Sequence, residues 1–531
     1  MNQTYDNIPQ EKFEFAQLND TLHDKKLETK SRGYFSDALI RFKKNKSSSV
    51  AAYIILFLIL FAIFAPIISP YSVYDTDTTY QKFAPFAESI ANMGLGFLDG
   101  SKTLSSQSET QIKFYEGIAK ETGKNPIIKI DYDNPKITTT IIRGKKVQIK
   151  TYPININSYY AVGVVFKNIS YEEFAKIQEF QNISGLQVLY PYTEKSSIYD
   201  GIDPAKYKDL PENSNIWYVC SDTKGTPKLD SDGNFIPAYS TDAKKAGPEE
   251  YATYTSQRIA GDDGSYIYSW GKSGSLSVRV EYYNYYQYMQ WAKTGSYHPP
   301  MYLFGTSENG TDLFCAIGAG ARFSLIFAIL VSVINLTIGA IYGAIQGYYG
   351  GYIDLAMDRV TDILSEVPFV VVTTLFQLHL AQRVGSVVSF LFAFVLTGWI
   401  GMAALTRKQF YRFKSQEFVY AAKTLGASDW RLMFKHIFPN SLGTIVTSCA
   451  LVIPSVISSE TSLTYLGIVN LKSFAGTSIG ALLSEGQTAI TSAPHAMLFP
   501  SLFISLLLIS FNLFGNGLRD AFNPTTRGME D

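Results

Sequence analysis

The residues able to carry chemistry are few and do not converge. The five histidines, His23, His298, His379, His436 and His495, are scattered along 531 residues, and no nucleophile, base and orienting acid stand at spacings that suggest a catalytic set. Cys220, Cys315 and Cys449 lie too far apart to pair as metal ligands and are too few for a disulfide framework. Gly271-Lys272-Ser273 has the ending of a phosphate-binding loop, but the pattern requires glycine at position 266, where the chain has Tyr266. ATP hydrolysis is therefore not expected on this chain. Two acids remain. Glu366 and Glu460 fall in or near strongly apolar stretches, where an ionisable group is costly and is a functional candidate by default; snorkelling to water from the end of a span is the plainer reading.

The elements that would hold these residues are largely apolar. Hydrophobic residues make up 46% of the chain and charged residues 17%, against about 25% in an ordinary soluble protein. Lys+Arg and Asp+Glu both number 46, so net charge gives no reason to bind nucleic acid. Val50 to Ile68 is an uncharged run long enough to cross a hydrocarbon core of about 30 Å, and it starts too far along the chain for a secretory signal. Phe323–Ile345, 360–380, Ser386–Leu405, Gly443–Ser459 and Met497–Phe514 follow, which predicts six spans. Basic residues cluster at Lys25, Lys26, Lys30, Arg32, Arg41, Lys43, Lys44 and Lys46, and again at Arg407, Lys408, Arg412, Lys414, Lys423, Arg431 and Lys435. The loop between the third and fourth spans has only Arg383, and that between the fifth and sixth only Lys472. Both chain ends are thus expected in the cytoplasm.

The expected fold is an all-α polytopic membrane protein of six transmembrane helices carrying an inserted α+β extracytoplasmic domain. Its parts are a cytoplasmic segment 1–49, a first transmembrane helix 50–70, the insertion 71–300, a core 301–522 with five further helices and a cytoplasmic loop 406–440, and a cytoplasmic tail 523–531. Most of the 36 tyrosines fall in the insertion. Ile137–Ile142 and Val147–Tyr152 flank a turn at Arg143-Gly144-Lys145-Lys146 and read as a hairpin. Ser170 and Glu173 form a capping box that opens a helix with Phe174, Ile177 and Phe180 on one face. Further strands are expected at Ala161–Phe166, Leu186–Tyr190 and Leu276–Tyr282, with loops at Asp222–Gly233 and Gly261–Gly274. The aromatic run Glu281 to Trp291 fits a core element that also reaches an interface.

Two patterns bear on packing and partners. Gly339, Gly343 and Gly347 strip one helix face of side chains at four-residue spacing, which lets another helix approach closely. The segment Ser415–Asn440 predicts two short helices: Phe418, Ala421, Ala422 and Leu425 share a face of the first, Gly426 ends it, Ser428 caps the second and Pro439 terminates that one. Apolar faces on short exposed helices suit a partner's groove, or else the lipid surface.

That segment resembles the EAA coupling loop of binding-protein-dependent ABC importer permeases, in which two alanines precede a glycine that lies thirteen residues before a proline. Ala421, Ala422, Gly426 and Pro439 match that register, with Tyr420 where the family usually has Glu. Arg41–Tyr71 is similar to the N-terminal segment of dipeptide/oligopeptide permease C subunits, a basic stretch followed by a span ending Phe64-Ala65-Pro66 and Pro70-Tyr71. Phe304-Gly305-Thr306, Gly320–Leu325, Gly347–Gly351, Glu460–Gly467 and Gly517–Ala521 are similar to the family's blocks in the same order, so the resemblance covers 41–71 and 301–524. Ser307 and Thr311 replace an Asp and an Arg of the family pattern, and the 71–300 insertion stands where the family has a short loop.

The resemblance implies a non-catalytic permease subunit of a bacterial ABC importer for di- or oligopeptides, in the inner or plasma membrane. Its implied partners are a second homologous permease that completes the pathway, two ATPase subunits, and an extracytoplasmic substrate-binding lipoprotein. No cofactor is expected on this chain, since ATP and Mg would sit on the ATPase subunits. Ala421, Ala422, Gly426, Ala427, Ser428, Asp429 and Pro439 would form the ATPase-coupling site, Gly339, Gly343 and Gly347 a packing surface, and Glu366 and Glu460 would line the pathway. The insertion would dock the binding protein or shape the outer vestibule, or else serve as a structural brace. A different class of function, a membrane-anchored receptor or sensor with the insertion as ligand module, is the alternative.

Overall fold

The computed structural model describes residues 34–94, 96–142, 145–190, 218–220, 251–253, 269–270, 276–471 and 476–522. Residues 1–33, the tail 523–531, Arg143-Gly144, Lys472, the loop Asp222–Gly233 and residues 261–268 and 271–274, Gly271-Lys272-Ser273 among them, lie outside the described residues, while Ser269–Trp270 within the expected loop Gly261–Gly274 form a short strand. In chain order the elements are helices α1 (Tyr34–Lys44) and α2 (Lys46–Ile68), strands β1 (Phe86–Ala87) and β2 (Ser101–Ser108), helix α3 (Glu109–Thr122), and strands β3 (Ile127–Ile130), β4 (Lys136–Ile142), β5 (Lys145–Asn157) and β6 (Val164–Ile169). Helix α4 (Tyr171–Ser184), strands β7 (Leu189–Tyr190) and β8 (Leu276–Glu281), helix α5 (Tyr282–Thr294) and strand β9 (Met301–Tyr302) complete the α+β region. The rest is helical: α6 (Leu313–Tyr349), α7 (Gly351–Ser365), α8 (Phe369–His379), α9 (Ser386–Thr397), α10 (Ile400–Lys414), α11 (Glu417–Thr424), α12 (Phe438–Tyr465), α13 (Ile479–Thr488) and α14 (His495–Phe522).

Among the described residues five helices are long and apolar enough to cross a membrane: Lys46–Ile68, Leu313–Tyr349, Ser386–Lys414, Asp429–Tyr465 and His495–Phe522. The pair α7 and α8, bent by 72°, makes a sixth if counted as one span. Pro368 explains the bend, since it lacks an N–H and disfavours helical backbone at Val367. Buried Ile55, Leu58, Phe327, Phe390, Ile457, Leu482 and Leu507 join α2, α6, α9, α12, α13 and α14 in one core.

Helix α6 makes its most extensive contact with α10, along the glycine ladder. A Cβ on Gly339 would stand 2.6 Å from the Trp399 carbonyl oxygen, one on Gly343 2.9 Å from Thr406 Cβ, and one on Gly347 2.7 Å from Phe410 Cβ. None of these separations admits a side chain, so the two backbones touch because the glycines are there.

In the α+β region β5 pairs antiparallel with β2, β3 and β4; its Lys145 and Lys146 pair with Ile142 and Ile141, so these two lysines belong to the strand and not to the expected turn. A second sheet centres on β8, flanked by β6 and by Ser269–Trp270, with β7 also on β8. The Ser170 hydroxyl caps α4 by accepting from Glu173 N at 3.1 Å. The aromatic run forms α5, whose residues Tyr282 to Tyr288 are all buried, with Phe180 of α4 against Tyr288 and Trp291. Lys124 bridges the two sheets through Glu281 at 2.6 Å.

The two chain crossings between the α+β region and the helices are clasped together. Phe86 pairs with Tyr302 and Ala87 with Met301. Tyr71 stacks on Tyr302 with centroids 4.6 Å apart, and its hydroxyl accepts from Met301 N at 3.0 Å. Thr306 Oγ1 accepts from Phe83 N at 2.8 Å and donates to the Tyr80 carbonyl at 2.5 Å. Ser69 Oγ donates to Asp312, the N-cap of α6, at 2.8 Å. Burial pushes the Asp312 carboxyl up to about 6, against the pull of Ser69 and of the Cys315 and Phe314 N–H groups. Ser307, where the family pattern has Asp, accepts from Asn309 N and Thr311 N at 3.2 and 3.1 Å and so ties off the turn without a charge.

The ladder yields a test. Gly343→Leu should force α6 from α10 and lower stability by about 1–3 kcal/mol or more, whereas Gly401→Ala, whose new Cβ meets nothing within 4 Å, should be neutral. Thermal melting of the detergent-solubilised protein compares the two; equal melting temperatures would contradict the close contact.

Candidate functional site

At the end of α6 remote from the α+β region lies the loop that links the fourth and fifth spans. Helix α11 stops at Leu425 because Gly426 takes a left-handed φ of +82°. Gly426 N then donates to the Lys423 carbonyl at 3.0 Å and Ala427 N to the Ala422 carbonyl at 3.1 Å, the paired bonds of a Schellman ending. Asp429 begins the next helix, where Leu432 N reaches the Ser428 carbonyl at 2.9 Å and the Ser428 side chain makes no cap bond. Pro439 does not terminate that helix. Residues Leu432–Ile437 form a π-helical turn, and Pro439 falls in the first turn of α12, so the element runs unbroken from Asp429 to Tyr465. The first turn of a helix is where a missing N–H is tolerated, and the wider π turn resets the register ahead of it.

Val419, Leu432, Met433 and Ile437 are buried with Ala344 of α6 and Phe410 of α10, which fixes the loop to the spans. The Tyr348 hydroxyl donates to Asp429 at 2.6 Å. The opposite face is bare: Leu425 is 88% exposed, Trp430 61% and Phe418 40%. Ala421, Gly426, Ser428 and Pro439 are exposed as well, while Ala422 and Ala427 are half-buried. The result is a rigid knob with an apolar outer surface.

A second constellation escaped the sequence reading. The Arg407 guanidinium is ion-paired with Asp354, Nε standing 2.6 Å from Oδ1 and Nη2 donating to Oδ2 at 2.7 Å, while Nη1 donates to Asp358 at 2.6 Å. Tyr411 donates to Asp354, Gln346 to Asp358 at 3.2 Å, and Lys414 to the Gly347 carbonyl at 3.1 Å. This network locks α7 to α6 and α10 beside the loop that links the fourth and fifth spans. Its trace in the sequence is i, i+4 spacing, Asp354 with Asp358 and Arg407 with Tyr411, a pattern that any exposed helix face can show.

The two intramembrane acids part company. Glu366 is exposed at the bend between α7 and α8. Glu460 is fully buried and accepts from Ser324 of α6 at 2.8 Å, Thr464 at 3.3 Å and Thr461 at 3.4 Å. Ser478, the N-cap of α13, bonds to it as well, so hydroxyls from α6, from its own helix and from the start of α13 converge on this carboxyl.

Residues 33–85 match the N-terminal transmembrane domain of oligopeptide transport permease C, and residues 335–528 the binding-protein-dependent transport system inner membrane component. The chain is 36% identical over 254 residues to the oligopeptide transport system permease protein OppC of Bacillus subtilis (strain 168), spanning 48% of this chain and 82% of that protein. The chain belongs to the OppC/DppC permease family. Against OppC of Salmonella typhimurium it is 40% identical over 229 residues, 43% of this chain and 73% of the relative. Against the dipeptide transport system permease protein DppC of Bacillus subtilis (strain 168) the figures are 37% over 225 residues, 42% and 69%. The α+β region lies between the two family segments. The permease is thus a multi-pass, non-catalytic inner-membrane component of an ABC transporter, which decides against the receptor or sensor alternative.

Glu460 offers a sharp test of the permease interior. Glu460→Gln keeps an acceptor for the Ser324 and Thr464 hydroxyls and should melt near wild type. Glu460→Leu strands buried hydroxyls and should cost about 1–3 kcal/mol. The reverse order of melting temperatures would refute the bracing role.

Proposed function

We propose that this permease is half of the translocation pathway of a bacterial peptide importer, with a second homologous permease as the other half. The relatives named for oligopeptide and dipeptide transport support the substrate class. A substrate-binding lipoprotein delivers peptide, and two ATPase subunits, which hold ATP and Mg, drive the cycle. The observation that carries the reading is the exposed knob: residues 421–430 present Leu425 and Trp430 outward while Val419 and Met433 anchor the loop within. Such a knob fits a hydrophobic groove on an ATPase subunit. Arg41, Lys43 and Lys44 of α1, which packs on α14, lie at the same end of the bundle as Arg412 and Lys414, which supports a cytoplasmic position for both chain ends.

When the ATPase pair closes, a rigid body seated in each groove moves with it. The continuous helix from Asp429 passes that motion into the fifth span, and Tyr348 and the Arg407 network pass it to α6, α7 and α10. Inward-open and outward-open populations shift because the ATPase pair binds them with different strength. In this scheme Glu366, exposed at the bend, faces the moving part of the pathway, and Glu460 braces its wall.

Leu425→Glu tests the coupling. The side chain is 88% exposed, so folding should be unaffected. ATPase co-purification and peptide uptake should each fall at least tenfold; normal values of both would defeat the proposal. A second experiment addresses the insertion. Because Ala87 and Met301 are paired antiparallel neighbours, residues 88–300 can be replaced by a two-residue Asn-Gly turn. The shortened chain should still insert and bind the ATPase subunits but lose uptake through the binding protein; undiminished uptake would leave the insertion a brace only.

A further inference from the structure

A cavity of about 950 Å³ opens between α5, the segment that follows α2, and the first turns of α6. It is distinct from the coupling knob and from the Arg407 network, both of which lie at the other end of α6. Its size is that of a ligand pocket, and its walls carry groups whose bonding is incomplete. Asp77 Oδ1 accepts from Thr79 N at 2.8 Å, Tyr80 N at 3.2 Å and the Tyr282 hydroxyl at 2.7 Å, which fixes the carboxylate. Its other oxygen, Oδ2, is buried and has no donor. Gln290 is held by the bond from Nε2 to the Tyr286 hydroxyl at 2.8 Å, and its Oε1 is likewise buried without a donor. Both residues line the cavity.

The same cavity carries cations without carboxylate partners. Lys167 stands over the Tyr282 and Tyr285 rings at 5.1 and 5.8 Å, and Arg322 of α6 is exposed. Neither forms an ion pair among the described residues, whereas Lys293 nearby is paired with Asp75 at 2.8 Å. Buried acceptors without donors call for a ligand rich in N–H, and unpaired cations for a carboxylate. A divalent metal ion is a poor fit: it needs about six oxygen ligands, and no group of three or more His, Cys, Asp or Glu side chains placed to hold a metal occurs among the described residues.

We propose that this cavity is a binding site for zwitterionic peptides, with the protonated amino terminus on Asp77 Oδ2 and Gln290 Oε1 and the carboxylate facing Lys167 and Arg322. The inference rests on the reading of the chain as a peptide-importer subunit. It adds that the permease itself, through the joint between insertion and spans, recognises both charged ends of its substrate on the side where peptide arrives.

The test is calorimetric titration of the full-length permease in phosphatidylcholine nanodiscs with penta-alanine and N-acetyl-penta-alanine. Acetylation should weaken binding at least tenfold. Asp77→Asn, which keeps Oδ1 and turns the orphan oxygen into a donor, should weaken the free peptide at least tenfold and leave the acetylated one unchanged. Gln290→Met, which removes the other acceptor, carries the same comparison if Asp77→Asn does not fold. Equal affinity for the two peptides, or unaltered affinity in both variants, would overturn the site. So would loss of peptide binding in phosphatidylethanolamine nanodiscs, which would give the acceptors to a lipid amine. If no peptide binds the permease while the assembled transporter imports penta-alanine, the site is refuted and the importer reading stands; absence of import too would count against that reading itself.

Discussion

The contact between α6 and α10 along Gly339, Gly343 and Gly347 governs the rest of the molecule. In hydrocarbon no hydrophobic force draws helices together, so association depends on close packing and on polar bonds. The glycines supply the first and make the second possible. Gly347 lets the Arg407 turn of α10 come against α6, and from there the guanidinium reaches Asp354 and Asp358 of α7. An alanine ladder would hold α10 off by more than those bonds tolerate. Because α6 has 37 residues, about 55 Å at 1.5 Å each, it exceeds the roughly 30 Å of hydrocarbon and carries structure at both ends.

At one end it carries the joint with the α+β region. That joint is built almost wholly from backbone bonds, tyrosine rings and small hydroxyls. Tyr80 and Tyr159 are fully buried, and burial pushes their hydroxyls well above the usual tyrosine range, so they stay neutral and pack as large apolar rings. The Tyr159 hydroxyl still finds the Ala84 carbonyl at 3.0 Å. The tyrosine-rich composition of the insertion is therefore the composition of a core, and this core, which includes Tyr71 and Tyr302, continues into both chain crossings. A domain seated this way on α2 and α6 cannot swing on flexible linkers.

Much of this was legible in the sequence and some was not, for physical reasons. Apolar runs locate the spans because hydrocarbon imposes a local rule on each residue, and the capping box at Ser170 and the helix stop at Gly426 are visible because caps are short-range. The uncharged run Phe323–Ile345 begins after Arg322, whereas the helix that contains it is capped at Asp312 and runs Leu313–Tyr349, because a helix can continue past the apolar stretch that marks a span. Pro439 looked like a stop because a π turn has no signature in composition. The pairing of Ala87 with Met301, the ion pair of Arg407 with Asp354, and the convergence of Ser324 on Glu460 join residues far apart in the chain. No local pattern encodes such meetings; only the folded bundle does.

The π turn has a consequence for how force travels. Had Pro439 ended the second coupling helix, the loop would be joined to the fifth span by a hinge, and motion of the knob would dissipate there. Instead Trp430 and Glu460 lie on one uninterrupted rod from Asp429 to Tyr465. Its near end is pinned to α6 by Tyr348 on Asp429, and its far end by Ser324 on Glu460. Two pins on the same pair of helices, one at a charge and one at a buried carboxyl, prevent the rod from sliding along α6 without breaking a bond at each end. Tilting is less restricted, because the interior contacts between the pins are apolar. On the proposed role of the loop as the ATPase contact, this geometry favours rocking of the fifth span about its outer anchor over sliding as the response to a push on the loop.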